Sequence, residues 1–587
     1  MNLALSLSLW IAAYAVSDLL LRRGWGGRAL AALGLESKRS SAYLCAALAL
    51  SAGWFISWQS LVADAADSHW LGPLRWYATL LGAMLAWNAS TRDHDPTRGP
   101  AQVDLNVLLM LSALLVWVSP VFMVLTVFLL SHTFSFWLHH ATFPMRVAQA
   151  LVSLPIAFAL HAACSTGLGS IGYHSLNPEQ FAWPALVTFL VILQVSHYFI
   201  TALAKMFLGP RWHSWVTDNQ LHHLAASSYS WGWARFLPWS SWRNVIWGTR
   251  KLEKPLQFAA FSLELLSPLA LLDQGLAAAF SVGFAAFHLG VFALSGLLFW
   301  DWIITDLLLA ALLLNWPVAA GSIITGPAAT DATALANFGW MPLFLGLVVM
   351  GLFPLRHKLW KPMPLGWFDT PLAARIHWEA IGKSGKVYEL YNNFMCPHER
   401  LYGRVNGSFF VPHPVLSYHL GEVWKPEVRK GIVDAGACKD SLSVLRKKFG
   451  ILPADPRLRA RHLAFLQSFF SHLNAGATKE VLPRWARWLK APGDQIFYWG
   501  HLPAYRRDEP VARVRLRFVE QYFDGEQHQT LHDQVVAEVD IPPVVLSGVE
   551  PELTPKELDS YLLGLAQGRL IDLPGAKKNY TEVLSEV

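Results

Sequence analysis

The side chains of this chain that could do chemistry in an apolar setting gather in Gln194–Trp215, QVSHYFITALAKMFLGPRWHSW. Gln194, His197, Thr201 and Lys205 stand three and four residues apart, which sets them in one stripe along a helix. Gly209-Pro210 then stops the helix, and Trp212 and Trp215 follow. A histidine and a lysine at membrane depth are costly, and they mark a functional site whose partner lies elsewhere in the bundle. The competing reading is that Lys205, one turn from the stop, snorkels to the interface.

Two more ionisable groups interrupt apolar helices. Glu264 sits in FAAFSLELLSPLALL, where a buried carboxylate must be paired or protonated. His288 lies in the middle of GFAAFHLGVFALSG, among small residues that permit close packing. Further histidines (His132, His139-His140, His161, His174, His213, His222-His223) bring a di-iron hydroxylase or desaturase to mind. Metal ligation needs imidazoles converging at about 2 Å on the ion from short-spaced pairs. LHHA and QLHHL are fragments of such boxes, but none of these histidines stands in an HxxxH or HxxHH spacing, so no metal is expected. Cys45, Cys164, Cys396 and Cys438 are far apart and form no CxxC or zinc spacing.

Around these residues the chain has a membrane composition. Of 587 residues 53% are hydrophobic and 15% charged, against roughly 25% charged in soluble domains. Mean hydropathy is +0.32 and there are 28 tryptophans. The net charge of +6 suits Lys and Arg collected in cytoplasmic loops. With no basic stripe or nucleic-acid motif, a nucleic-acid partner is not expected. Apolar runs long enough to span occur near 3–21, 41–63, 70–89, 146–168, 182–207, 256–272, 277–299, 301–316 and 340–356. The run 104–130 is broken at Val118–Pro120, and loop charges fit best if it enters and leaves on one side. The first run ends in Arg22-Arg23 without a basic start, and reads as uncleaved.

The expected fold is therefore a polytopic α-helical membrane bundle of about eight to ten spans with a C-terminal soluble α+β domain. Residues 1–360 form the membrane domain, with 208–255 a Trp-rich segment in the headgroup layer. Residues 361–587 form the soluble domain, on strand-like alternation in KVYELYNNF and VARVRLRFVEQYF.

YFITALAK (Tyr198–Lys205) followed by Arg211-Trp212 resembles the Tyr-Phe-x-x-Gly-x-x-Lys…Trp signature of the horizontally transferred transmembrane (HTTM) domain. That is the membrane domain of vitamin K-dependent gamma-carboxylase. Ala202 replaces the family's glycine. Glu264 in an apolar helix, and Phe287-His288 leading to Trp300, follow in the family's order. The resemblance implies that Lys205 is the base that deprotonates a lipid hydroquinone, and that an upstream histidine assists, His161 being the nearest and His174 the next. A lysine in low dielectric loses its proton more readily, which suits that role.

The expected function is quinone-linked oxidoreductase or carboxylase-type chemistry at an integral, multi-pass site in the plasma or inner membrane. Lys205, His161, Glu264 and His288 would be catalytic. Gln194, His197, Tyr198, Thr201 and Trp212 would line the quinone pocket. Membrane lipid is the expected partner, together with a protein substrate or partner for the soluble half. The rival reading is a non-enzymatic scaffold, export or immunity factor in which Lys205–Glu264 is a structural ion pair.

Overall fold

The apolar runs of the first half fold into helices wherever proline and polar residues let them continue. The computed structural model describes residues 8, 10–16, 71–90, 103–118, 122–133, 143–168, 178–206, 210–315, 368–390, 413–414, 423, 425–449, 451–452, 456–476, 502–503 and 505–548. Helices α1 (Leu71–Ser90), α2 (Val103–Leu115), α3 (Phe122–Thr133), α4 (Phe143–Leu168) and α5 (Pro178–Met206) come first. α2 and α3 are separate helices, and the sequence between them carries Pro120, which lacks an N–H and disfavours helix in the residue before it. Ser112 and Thr126 hydroxyls meet across the pair at 3.1 Å. Next come α6 (Ser214–Asp218), α7 (Leu221–Ser230), α8 (Trp239–Leu265), a 3-10 turn (Ser267–Leu271), α9 (Gln274–Ser295) and α10 (Trp300–Asn315). Leu186–Leu193 of α5, Leu309–Leu313 of α10, and α1 share one core with Leu109, Leu129 and Phe143.

Two helices are long and apolar enough to cross a membrane among the described residues: Leu186–Met206 within α5, and α9. This corrects the expected polytopic bundle of about eight to ten spans. The described chain is largely helical, with two candidate spans and a small antiparallel sheet. The reasons are local. α2, α3 and α10 have 13, 12 and 16 residues, and even 16 residues reach only about 24 Å against a hydrocarbon core of about 30 Å. The apolar run at 256–272 is the tail of α8, whose first half is polar, and it ends in the 3-10 turn. Arg75 and Asn88 dilute α1, and the side chains of much of α4 lie outside the described residues. The runs at 41–63 and 340–356, and most of 3–21, lie outside the described residues.

The second half is built on strands β1 (Leu372–Gly382), β2 (Val387–Leu390), β5 (Val511–Phe523) and β6 (His528–Asp540) in the order β2-β1-β5-β6, all antiparallel. A second ladder pairs β3 (His413–Pro414) with β4 (Ile451–Leu452). Helices α11 (Pro426–Ala435), α12 (Lys439–Phe449) and α13 (Pro456–Asn474) accompany them. The two-residue period of a strand sorts the sheet's faces. Ile376, Trp378 and Ala380, with Val514, Leu516 and Phe518, pack on Phe465, Leu466, Phe469 and Phe470 of α13. The other face carries charge: Arg515 meets Glu379 at 2.7 Å, Arg517 meets Asp533 at 2.5 Å, and His377 meets Glu389 at 3.0 Å.

The Trp-rich segment is the seat on which the sheet rests. Trp231, Trp233 and Trp242 are buried, while Trp212 and Trp247 remain exposed. Phe523 enters a cluster with Ala225, Ala226, Trp242 and Ile246, and Ala373 packs with Leu224, Trp231 and Trp233. Asn219 exchanges two hydrogen bonds with Asp369, one to its carboxylate (3.0 Å) and one from its N–H (2.7 Å). Ser230 donates to Gln521 at 2.6 Å, and Arg375 donates to the Trp231 carbonyl. Gly296 ends α9 at φ +71, and a Cβ there would land on the Trp233 carbonyl. Gly296→Ala combines left-handed strain with that clash, and should cost more than about 1 kcal/mol in denaturant unfolding.

His528 stands 3.0 Å from the Ala226 carbonyl, and burial pushes its pKa down to about 4. An undocked histidine titrates near about 6.5. As pH falls from 6.5 toward 4 the undocked form takes up a proton that the docked form refuses, so docking weakens in that window. Hydrogen exchange at 225–230 and 523–528 should accelerate over that range in the wild type, and His528→Gln should flatten the pH dependence.

Candidate functional site

The core of the site is an ion pair between two helices. Lys205, in the last turn of α5, places Nζ 2.7 Å from Oε1 and 2.6 Å from Oε2 of Glu264 on α8. Lys205 is 7% exposed and Glu264 2%, so the ammonium turns inward and does not snorkel. The helix positions the pair as its stripe requires: Thr201, one turn before Lys205, gives its hydroxyl to the Tyr198 carbonyl at 2.6 Å. α8 brings Glu264 to α5 after Pro255, which separates its polar first half from the apolar tail.

Trp215 of α6 closes the other side, with Lys205 Nζ 4.3 Å from the ring centroid. This face attracts a cation through the ring quadrupole. Gln257 donates to the Trp215 carbonyl at 3.2 Å and Lys254 to the Asn219 carbonyl at 2.6 Å, so α8 holds the lid as well as the carboxylate. Trp212, the expected pocket tryptophan, is 58% exposed and lies against Phe261 instead.

Two turns back along α5 is a second polar cluster. Tyr198 donates to Asp306 Oδ2 at 2.6 Å, and its oxygen lies 2.9 Å from His288 Nε2. A phenol has one proton; with that proton on the carboxylate, Nε2 of His288 must carry its own and donate. Nδ1 is then a bare acceptor, and it is buried without a partner among the described residues. Gln194 donates to Asp306 Oδ1 at 2.7 Å and accepts from Ser281 at 2.9 Å. Tyr198 stacks on Phe284 at 3.5 Å and 2°, with Trp302 and Phe299 beside the His288 ring.

The structure thus gathers Gln194, Tyr198, Thr201, Lys205, Glu264 and His288 along one face of α5. His197 turns away from this line: its Nδ1 lies 2.6 Å from the Leu193 carbonyl and its ring packs on Phe143 and Trp302. The side chain of His161 and all of His174 lie outside the described residues. Asp306 was not singled out by sequence reasoning, although a carboxylate in WDWIITDLLL breaks an apolar run as plainly as Glu264 does. Trp215, Gln257 and Ser281 give no comparable signal. Among the described residues no group of three or more His, Cys, Asp or Glu could hold a metal ion; His222 instead meets Glu253 at 2.8 Å.

Removing one partner of a buried pair strands the other charge. Lys205→Ala or Glu264→Ala alone should cost about 3–5 kcal/mol in unfolding measured in detergent. Lys205→Met combined with Glu264→Leu should recover most of that loss, because no uncompensated charge remains.

Compared with known proteins, the chain matches no protein-family model, no curated protein and no solved structure.

Proposed function

We propose that the chain is a membrane-associated protein, held in the bilayer by α5 and α9, whose buried polar line on α5 is a proton-transfer site for a lipid-soluble quinol. The observation that carries this reading is the alignment of two clusters, Lys205–Glu264 and Tyr198–Asp306–His288, about 10 Å apart along one helix face. Charge buried without a structural alternative costs free energy, and ionisable groups grouped in this way occur most often at functional sites.

The fit to a quinol head rests on two features. One is Nδ1 of His288, an acceptor suited to a hydroxyl that has no partner among the described residues. The other is the aromatic surround, with Tyr198 stacked on Phe284 and Trp302 edge-on to Tyr198 at 90°. When bound, a quinol supplies a weakly acidic hydroxyl and a redox-active ring. The chain's own residues do the rest. His288 orients the hydroxyl through Nδ1, while Asp306 and Tyr198 fix its imidazole. The proton between Lys205 and Glu264 can move to the carboxylate without creating net charge, which leaves a neutral amine able to act as base. The resemblance to the HTTM domain assigns that base role to Lys205.

A second reading draws on the closed geometry of the pair. Both carboxylate oxygens of Glu264 are engaged by Lys205 and Trp215 covers the amine, which suits a purely structural clamp in a scaffold, export or immunity factor whose sheet domain binds a partner.

Lipid extraction of the purified full-length protein, followed by mass spectrometry, separates the two. The enzyme reading expects a co-purifying quinone that is depleted several-fold in His288→Ala at equal folded yield. It also expects quinone-linked turnover to be lost in Lys205→Met/Glu264→Leu. A quinone-free wild type whose double variant is fully folded would leave only the clamp.

A further inference from the structure

A cavity of about 270 Å³ opens where the helical half meets the sheet half, away from the α5 site. Asp218 and His223 line it from α6 and α7, Asp369 and Thr370 from the approach to β1, and Arg429 and Lys430 from α11. Two carboxylates and two cations therefore face one small space. All four have a partner before any ligand arrives. Asp218 accepts from Thr217 at 2.7 Å and Arg211 at 3.0 Å, and Asp369 accepts from Asn219 at 3.0 Å. The Arg429 guanidinium lies 3.8 Å over the Phe368 ring and donates to the Val423 carbonyl at 3.0 Å. Lys430 reaches Asp434 at 2.5 Å on the exposed side of α11.

His223 adds a buried imidazole. It is 8% exposed, and its Nδ1 has no partner among the described residues.

We propose that this cavity binds a small zwitterion of the α-amino-acid class, carboxylate toward Arg429 and Lys430 and ammonium toward Asp218, Asp369 and His223. A simple anion would face the two carboxylates and a simple cation would face the guanidinium, so each meets repulsion that a zwitterion escapes. The volume lies below the roughly 300–1,000 Å³ of pockets for drug-sized ligands, which restricts the ligand to a compact molecule. Because its walls come from both halves, an occupant would tie the sheet to the helices.

The test is calorimetry on the full-length protein in detergent with each of the twenty L-amino acids, then with the N-acetyl and carboxamide forms of the best binder. One free amino acid should bind, and each blocked form should bind at least about tenfold more weakly, since each loses one charge-assisted contact. Val433 borders the cavity and is half-exposed. Val433→Trp should therefore abolish binding while leaving the unliganded melting temperature unchanged, and Lys430→Gln should weaken it. The proposal is overturned if no amino acid binds, if the N-acetyl form binds as tightly as the free one, or if Val433→Trp binds normally.

Discussion

A full charge inside an apolar bundle is tolerable only when a counter-charge or a set of hydrogen-bond donors meets it, and the arrangement of α5, α6 and α8 follows from that constraint. Desolvating an ammonium and a carboxylate costs several kcal/mol for each ion even after relaxation. The bidentate contact between Lys205 and Glu264 offsets this only while α5 and α8 keep their spacing. The same requirement explains Pro255, which lets one helix be polar where it meets the sheet and apolar where it reaches the ion pair. It also explains why Gln257 and Lys254 fasten the segment that carries Trp215. Asp306 obeys the rule differently. Among the described residues its partners, Tyr198 and Gln194, are neutral donors, so a hydrogen-bonded network holds the carboxyl group.

The sheet shows a related division. One face is an ordinary apolar layer under α13, closed by the bond from Trp378 Nε1 to His462 at 2.9 Å. The opposite face sets Glu379 directly across from Glu389, a like-charge pair that would destabilise an open sheet. Arg515 and His377 relieve it by giving each carboxylate a partner of its own. Polar side chains and aromatic rings share the contact with the helical half, so register between the halves is specified by hydrogen bonds as well as by burial.

Part of the α5 site was legible because helical spacing is a strong constraint. Of the stripe 194, 197, 201 and 205, Gln194 and Lys205 reach the two clusters with Thr201 between them. His197 turns instead to Phe143 and Trp302, and Tyr198 beside it takes the polar position. The partners were less legible. Glu264 and His288 stood out as ionisable groups in apolar runs, and Asp306 carried the same mark. Nothing in the chain, however, says which tryptophan after a Gly-Pro stop folds back. Trp215 does so because α6 begins at Ser214, which leaves Trp212 outside. The span count failed for a related reason. Hydropathy measures apolar length, whereas 256–272 is the apolar tail of a half-polar helix followed by a 3-10 turn, and 301–315 belongs to a helix of 16 residues. Tryptophan richness likewise signals any amphipathic boundary, and here most of that boundary is with the protein's own sheet.

The turn at Trp231–Ala234 is gripped from two directions. β1 holds it through Arg375 and Ala373, and the close approach of Gly296 presses the end of α9 onto its backbone. Neither contact has slack: a carbonyl gripped by a guanidinium and a glycine without room for a methyl cannot slide past one another. The helix that bears His288 and the first strand of the sheet thus meet on the backbone of one short turn, so neither can be repacked without disturbing the other's seat.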